Sequence, residues 1–163
     1  ERGSLLPNVI SYSAVISACA KGGEWQQALG LLADMQHNII EPNMITCSAS
    51  ISACAKGLEW HKALCLLAQA QQNRIELDVI IFNAAICACE KGKAWQQALS
   101  LLVAMRRCSV SPVVISYNAA ISAFEKGQEW RRSIGLLTEM QWNDIKPDVI
   151  TYNAVISGCE KCQ

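Results

Sequence analysis

The chain has 163 residues, of which 52% are hydrophobic and 17% are charged, and its formal net charge is zero. This composition excludes an intrinsically disordered chain, and no apolar run reaches the about 18 residues that a membrane-spanning helix requires. The balanced charge argues against binding of nucleic acid through a uniformly basic surface, although a basic strip on one face remains compatible with it.

An internal repeat is the dominant feature of the sequence. Proline recurs every 35 residues, with Leu77 in place of one proline, and glycine and tryptophan keep the same spacing without insertions. The recurring residues are Pro7, Pro42, Pro112 and Pro147; Gly22, Gly57, Gly92 and Gly127; and Trp25, Trp60, Trp95 and Trp130. A period of this length is typical of an array of helical hairpins.

The first helix of each unit is predicted by residues spaced at i, i+3, i+4 and i+7, which in the first unit are Tyr12, Val15, Ile16 and Cys19. The Lys-Gly dipeptide that follows predicts a cationic last turn and a glycine in the left-handed conformation that often ends a helix. We therefore expect each glycine of the Gly22 column to serve as that C-terminal cap.

The second helix begins near the tryptophan and carries an apolar stripe formed by Trp25, Ala28, Leu29, Leu32 and Met35. Pro42 ends the unit, and Asn43 is a residue type suited to cap the next first helix. We expect the tryptophans to pack between helices.

One hairpin cannot bury both of its apolar stripes, so neighbouring units must stack into an all-α solenoid with an inner groove. The predicted organisation is the end of a preceding repeat (1–8), four complete repeats (9–43, 44–78, 79–113, 114–148) and the first helix of an incomplete fifth repeat (149–163). Neither end has the polar cap of a finished solenoid, and the first residue is not Met, so we expect further repeats or a partner on both sides.

The nine cysteines predict packing rather than chemistry. Cys19, Cys54, Cys89 and Cys159 share one column of the repeat, and Phe124 occupies the remaining place, which favours a buried apolar position. The Cys159–Cys162 pair is isolated, whereas zinc sites need about four ligands, so we expect no metal and no cofactor.

One polar column lies off the core stripe of the first helix and would face the groove. It contains Ser13, Ser48, Asn83, Asn118 and Asn153. Serine and asparagine are poor residues for a helix interior because their side chains compete for backbone hydrogen bonds. Five of them in register therefore indicate a role outside the helix.

Three other columns accompany the polar one. An isoleucine column contains Ile10, Ile45, Ile80, Ile115 and Ile150; a lysine column contains Lys21, Lys56, Lys91, Lys126 and Lys161; and the complete units end in Asn43, Asp78, Val113 and Asp148. An apolar surface, a hydrogen-bonding group and a cation, once per unit, match the base face, base edge and phosphate of successive nucleotides in single-stranded RNA.

The 35-residue unit, with "ISYNAAISA", "KG", "ALSLL" and "PDVITYN", resembles the pentatricopeptide repeat family over nearly the whole chain. The resemblance implies a right-handed α-solenoid that binds single-stranded RNA in mitochondria or plastids, one nucleotide per repeat. It also implies that the isoleucine column sandwiches bases and that the lysine column contacts phosphates.

In this family the fifth and last residues of a repeat together select the base, and we refer to them as a base-reading pair. The resemblance implies adenine for Ser13–Asn43, guanine for Ser48–Asp78, a loose pyrimidine preference for the atypical Asn83–Val113 and uracil for Asn118–Asp148. The implied site is 5′-A-G-Y-U-3′, while Asn153 has no terminal residue to pair with.

Each of these signals also has a structural interpretation, because the terminal residues suit helix N-caps and the lysines suit helix dipoles. A scaffold subunit of a larger assembly, such as an organellar ribosome or a membrane complex, is the alternative function, with protein partners and no free RNA target. We expect no enzymatic activity, small-molecule substrate or membrane insertion, because the sequence has no nucleophile motif, phosphate-binding loop or zinc signature.

Overall fold

The computed structural model describes residues 7–161, and over that range it consists of α-helices joined by short loops, without a strand. The helices are α1 (Val9–Gly22), α2 (Trp25–His37), α3 (Met44–Lys56), α4 (Trp60–Gln72), α5 (Val79–Lys91), α6 (Trp95–Arg107), α7 (Val114–Lys126), α8 (Trp130–Trp142) and α9 (Val149–Glu160). Residues 1–6 of the predicted preceding repeat, and Cys162, lie outside the described residues. None of the described helices combines the length and the apolar composition needed to cross a membrane.

The helices form two layers. The first helices α1, α3, α5, α7 and α9 contact one another in succession, and each second helix packs against its own first helix and the next one. In the described part of the chain, no two second helices have Cα atoms within 8 Å of each other. The first helices are therefore the more closely spaced layer, as expected for the inner side of a curved solenoid.

Side-chain caps start the first helices, as predicted. The side chains of Asn8, Asn43, Asp78 and Asp148 accept hydrogen bonds from backbone N–H groups in the first turn, and each of these residues has an extended backbone. Such caps satisfy donors that have no partner within the helix.

The prediction for the glycine column is right about the position of three caps and wrong about their conformation, because Gly57, Gly92 and Gly127 are C-caps but are not left-handed. Gly57, Gly92 and Gly127 have φ angles between −78° and −88°, and Gly22 lies within α1. The left-handed residue is the next one along the chain, namely Gly23, Leu58, Lys93 and Gln128. The glycines serve a different purpose, because a Cβ on Gly57, Gly92 or Gly127 would collide with the indole of the preceding repeat's tryptophan.

Trp25, Trp60 and Trp95 therefore pack between helices, as predicted, and those helices belong to adjacent repeats. The Trp25 indole lies against Gly57 of the next repeat, and Lys62 places its Nζ 3.8 Å from the centre of the Trp25 ring. Arg132 lies in the same way over Trp95, at 4.6 Å. A cation over an indole face adds to the packing of adjacent repeats.

The cysteine column belongs to the core. Cys54, Cys89 and Phe124 are buried, whereas Cys19 in the first helix, α1, and Cys159 in the last helix, α9, are partly buried. Burial raises the pKa of Cys54 to about 11 and that of Cys89 to about 12, so both remain protonated thiols at neutral pH. Val15 of the predicted core stripe is half exposed, whereas the equivalent residues Ser50, Ala85, Ala120 and Val155 are buried.

Replacement of Ser133 by alanine is expected to stabilise the protein. Its hydroxyl is fully buried and has no hydrogen-bond partner among the described residues, while Ala28, Ala63 and Ala98 occupy the equivalent position in the other repeats. Ser133→Ala should raise the free energy of unfolding by about 1–2 kcal/mol, because it removes an unsatisfied buried hydroxyl. Urea denaturation measures the change, and Ala98→Ser, which creates the same defect one repeat earlier, should lower stability.

Candidate nucleic-acid interface

The isoleucine column forms an exposed apolar strip along the inner layer. Ile10, at 73%, is the most exposed member and Ile45, at 54%, the least. The others are Ile80, Ile115 and Ile150. Isolated exposed apolar residues are ordinary, but a continuous strip that repeats once per helix indicates a binding surface.

The Ser48–Asp78 pair lines a pocket between successive repeats. The pocket has a volume of about 260 Å³, and Ile45 and Ile80 also line it. Asp78 Oδ1 accepts the backbone N–H of Ile81 at 2.9 Å, which leaves Oδ2 available. The four predicted residues thus line one cleft, which combines two polar groups with two aliphatic side chains.

The Asn118–Asp148 pair is joined directly. Asn118 Nδ2 donates to Asp148 Oδ1 at 3.0 Å and to Oδ2 at 3.2 Å. Thr151 Oγ1 donates to Asn118 Oδ1 at 2.5 Å. The backbone N–H of Thr151 lowers the pKa of Asp148 against the opposing effect of desolvation, and the side chains of Asn118 and Thr151 lower it further. Asp148 is therefore a carboxylate at neutral pH.

The Asn83–Val113 pair is held differently. Ser116 Oγ accepts the backbone N–H of Val113 at 3.1 Å and donates its proton to Asn83 Oδ1 at 2.6 Å. The side-chain carbonyl of Asn83 is thereby occupied, so its NH₂ group is the part of the amide that can donate a hydrogen bond to a ligand. Val113 is exposed and offers no hydrogen bond.

The Ser13–Asn43 pair departs from the others. Ser13 is only 9% exposed, and its hydroxyl donates to the carbonyl oxygen of Val9 at 2.6 Å. Asn43 Oδ1 accepts the backbone N–H of Thr46. The serine is thus committed to its own helix, in contrast with the partly exposed Ser48. At the other end Asn153 is exposed.

The lysine column divides into two groups. Lys126 and Lys161 form ion pairs with glutamates of the preceding repeat, whereas Lys21, Lys56 and Lys91 are exposed and have no ion pair within residues 7–161. Sequence reasoning missed the glutamates, although Glu90 and Glu125 stand directly before lysines of the column.

The hydroxyl residues that hold the asparagines were also missed. Ser116 and Thr151 occupy the third position of their helices, and the equivalent positions in the other units are Ser11, Thr46 and Ile81. The recurrence of a hydroxyl was a usable signal. The hydroxyls of Ser116 and Thr151, however, bond to the asparagine of the preceding repeat, so their role depends on the stacking of repeats.

No cluster of three or more metal-ligating side chains occurs in the part of the chain that the structure describes. A polar cluster joins Tyr117 of α7 to Arg106 and Glu139 of the second-helix layer. It links repeats, because Arg106 and Glu139 lie on successive second helices.

Comparison with known proteins agrees with this architecture. A model of the PPR repeat family matches residues 7–56 and 112–161, and a model of the pentatricopeptide repeat domain matches residues 65–126. No curated protein matches the chain in sequence.

Solved structures share the fold. The chain superposes with a TM-score of 0.84 and 24% identity on the pentatricopeptide repeat protein PPR10 in complex with an 18-nt psaJ RNA element, covering 99% of this chain and 24% of that chain. The structure of PPR10 from maize gives a TM-score of 0.79 at 22% identity, with 98% and 23% of the two chains covered. The PPR domain of Arabidopsis thaliana protein-only RNase P 1, in complex with tRNA, gives 0.79 at 13% identity, with 91% and 78% covered.

The chain thus spans about a quarter of the length of PPR10. The repeat length, the two helix layers and the family models that together match most of the sequence lead to one assignment. The chain belongs to the pentatricopeptide repeat family.

Proposed function

We propose that this chain is a sequence-selective module for single-stranded RNA that binds one nucleotide per repeat along its inner layer. The cleft lined by Ser48, Asp78, Ile45 and Ile80 carries the proposal. It offers two aliphatic faces for a flat base and polar atoms for the base edge, which is how unstacked bases are recognised in single-stranded RNA.

The spacing of the helices supports one base per repeat. Packed helices lie about 8–10 Å apart, whereas stacked bases are about 3.4 Å apart. Bases bound at successive repeats therefore cannot stack on one another, and the isoleucine between them replaces the lost stacking contact. Single-stranded RNA adapts to this spacing more easily than a duplex, whose bases are paired and stacked.

The polar groups favour particular base edges. At Ser48–Asp78 the carboxylate is a pure acceptor, and guanine presents adjacent N1–H and N2–H donors on its Watson–Crick edge. At Asn118–Asp148 the NH₂ group is a donor beside a carboxylate acceptor, which suits the carbonyl oxygen and N3–H of uracil. Guanine and uracil are therefore the bases expected at these two positions.

The other two base-reading pairs are expected to be less selective. At Asn83–Val113 the NH₂ group of Asn83 is the one hydrogen-bonding group left for a base, so the preference for a pyrimidine is loose. At Ser13–Asn43 the hydroxyl is committed to Val9, so selection of adenine depends mainly on Asn43. The proposed site is 5′-A-G-Y-U-3′, with the strongest discrimination at its second and fourth bases.

The comparisons support RNA as the ligand class, because PPR10 and the RNase P 1 domain are both described in complexes with RNA. We propose a non-enzymatic role in RNA processing or stability in mitochondria or plastids. We also propose that residues 9–43, 44–78, 79–113 and 114–148 are the repeats that each take one nucleotide.

The test is the affinity for short RNAs that differ at one base. RNA with guanine at the second base should bind at least tenfold more tightly than RNA with cytosine there, as measured by fluorescence anisotropy. Asp78→Asn should abolish this preference while keeping the fold, because asparagine caps helices as well as aspartate does and already caps α3 at Asn43. Equal affinity for 5′-A-G-C-U-3′ and for 5′-A-U-C-G-3′, in which the second and fourth bases are exchanged, would contradict the proposal and favour the scaffold alternative.

A further inference from the structure

The lysines of the inner layer differ in the charge that they present to a ligand. Lys126 Nζ lies 2.7 Å from Glu90 Oε1 across the interface between two repeats. Ser122 Oγ donates to the same oxygen at 3.0 Å. The glutamate is therefore held in place by two partners of the next repeat, and the net charge of this position is zero.

The next repeat interface has the same arrangement. Lys161 Nζ lies 2.7 Å from Glu125 Oε1, and Ser157 Oγ donates to that oxygen at 2.8 Å. Partial burial of Glu125 opposes ionisation, but the hydrogen bonds from Lys161 and Ser157 and the charges of Lys161 and Lys126 outweigh it and lower the pKa. Glu125 is thus ionised at neutral pH and cancels the charge of Lys161.

Alanine occupies the glutamate position in the first two repeats. The column reads Ala20, Ala55, Glu90, Glu125 and Glu160. The residues that correspond to Glu90 in the repeats before Lys56 and Lys91 are therefore Ala20 and Ala55. Lys56 Nζ donates instead to the carbonyl oxygen of Lys21 at 2.8 Å. No carboxylate among the described residues forms an ion pair with Lys56 or Lys91.

A phosphate group responds to the net charge of each position. The salt dependence of binding follows the number of phosphates neutralised, at about 0.7 in the log–log slope for each phosphate on a single strand. A lysine already neutralised by a fixed glutamate does not neutralise a phosphate and so displaces no counterion from the RNA, whereas a lysine without a carboxylate partner does.

We infer that the N-terminal half of this surface, through Lys21, Lys56 and Lys91, holds the phosphate backbone, whereas the C-terminal half reads bases without a phosphate contact. Glu90 and Glu125 are the residues that set this division. The inference rests on the proposed RNA-binding function and specifies how that same surface divides its work.

The salt dependence of RNA affinity tests this division. The wild-type log–log slope should be about −2, for three phosphate contacts, rather than about −3.5, for five. Glu90→Ala reproduces the arrangement at Ala55 and should steepen the slope by about 0.7 because it frees Lys126, whereas Lys56→Ala should flatten it by about 0.7. The E90A/K126A double variant removes a neutral pair and should leave the slope at the wild-type value.

Asp34→Asn is the control for a general change in charge, because Asp34 lies exposed on the outer helix α2. The salt dependence of RNA affinity of this variant should have the same log–log slope as that of the wild type. Thermal unfolding of each variant checks that the fold is kept. If Glu90→Ala leaves the slope unchanged while wild-type RNA binding is intact, this inference is wrong and the proposed function stands. If the wild-type protein does not bind RNA, both are wrong.

Discussion

Replacement of Gly92 by alanine is expected to lower the free energy of unfolding by about 1–3 kcal/mol, the usual cost of overpacking a well-packed site. A Cβ at this position would lie 2.7 Å from Cγ of Trp60 and closer still to Cδ1. These atoms belong to the rigid part of the indole next to the helix backbone, so the whole ring must move. Because Trp60 and Gly92 belong to adjacent repeats, the substitution weakens the interface on which the array depends.

Gly22 provides the matched control. It occupies the same column and is followed by another glycine, but the nearest atom to an added Cβ is Glu24 Cγ at 3.7 Å. Gly22→Ala should therefore be neutral or stabilise α1 by up to about 1 kcal/mol, through the better helix propensity of alanine. Urea denaturation of the two variants measures both effects. Equal stability changes would show that helix propensity, and not the tryptophan contact, decides this column.

Replacement of Ile80 by serine is expected to weaken RNA binding by about 5- to 30-fold, which corresponds to about 1–2 kcal/mol of lost apolar contact. Ile80 is 61% exposed without a ligand and borders the pocket of Ser48 and Asp78. In the proposed complex it packs between two successive bases, so its loss removes a contact from both.

Ile134→Ser is the control for this experiment, because Ile134 is an exposed isoleucine on α8 of the outer layer. Both variants should retain wild-type stability within about 0.5 kcal/mol, as expected for exposed positions, and Ile134→Ser should also retain wild-type affinity for RNA. If the two variants bind RNA equally well, the isoleucine strip is not the contact surface.

Much of the fold could be predicted because it depends on local patterns. The spacing of Tyr12, Ile16 and their equivalents predicts a buried helix face, and both residues are buried. Asn43 and Asp78 predict helix starts, and both cap the helices that follow them. Gap-free recurrence then predicts stacking, since every unit repeats the same surfaces.

The remaining features depend on contacts between repeats, which a single column cannot reveal. The recurrence of Gly92 shows that a side chain is not tolerated, but only the packed Trp60 explains the reason. Ser13 and Ser48 look equivalent in sequence, yet the first is buried and the second is partly exposed. The ion pair of Lys126 depends on a residue 36 positions earlier.

The two-layer arrangement has a mechanical consequence. Backbone-to-backbone contact between repeats runs continuously through the first helices, whereas α6 and α8 are bridged by the long side chains of Arg106 and Glu139. Such side chains can rotate or lengthen their reach without unpacking a helix. The array should therefore keep its spacing along the inner edge and change its curvature mainly at the outer edge, where the gap between second helices can open or close.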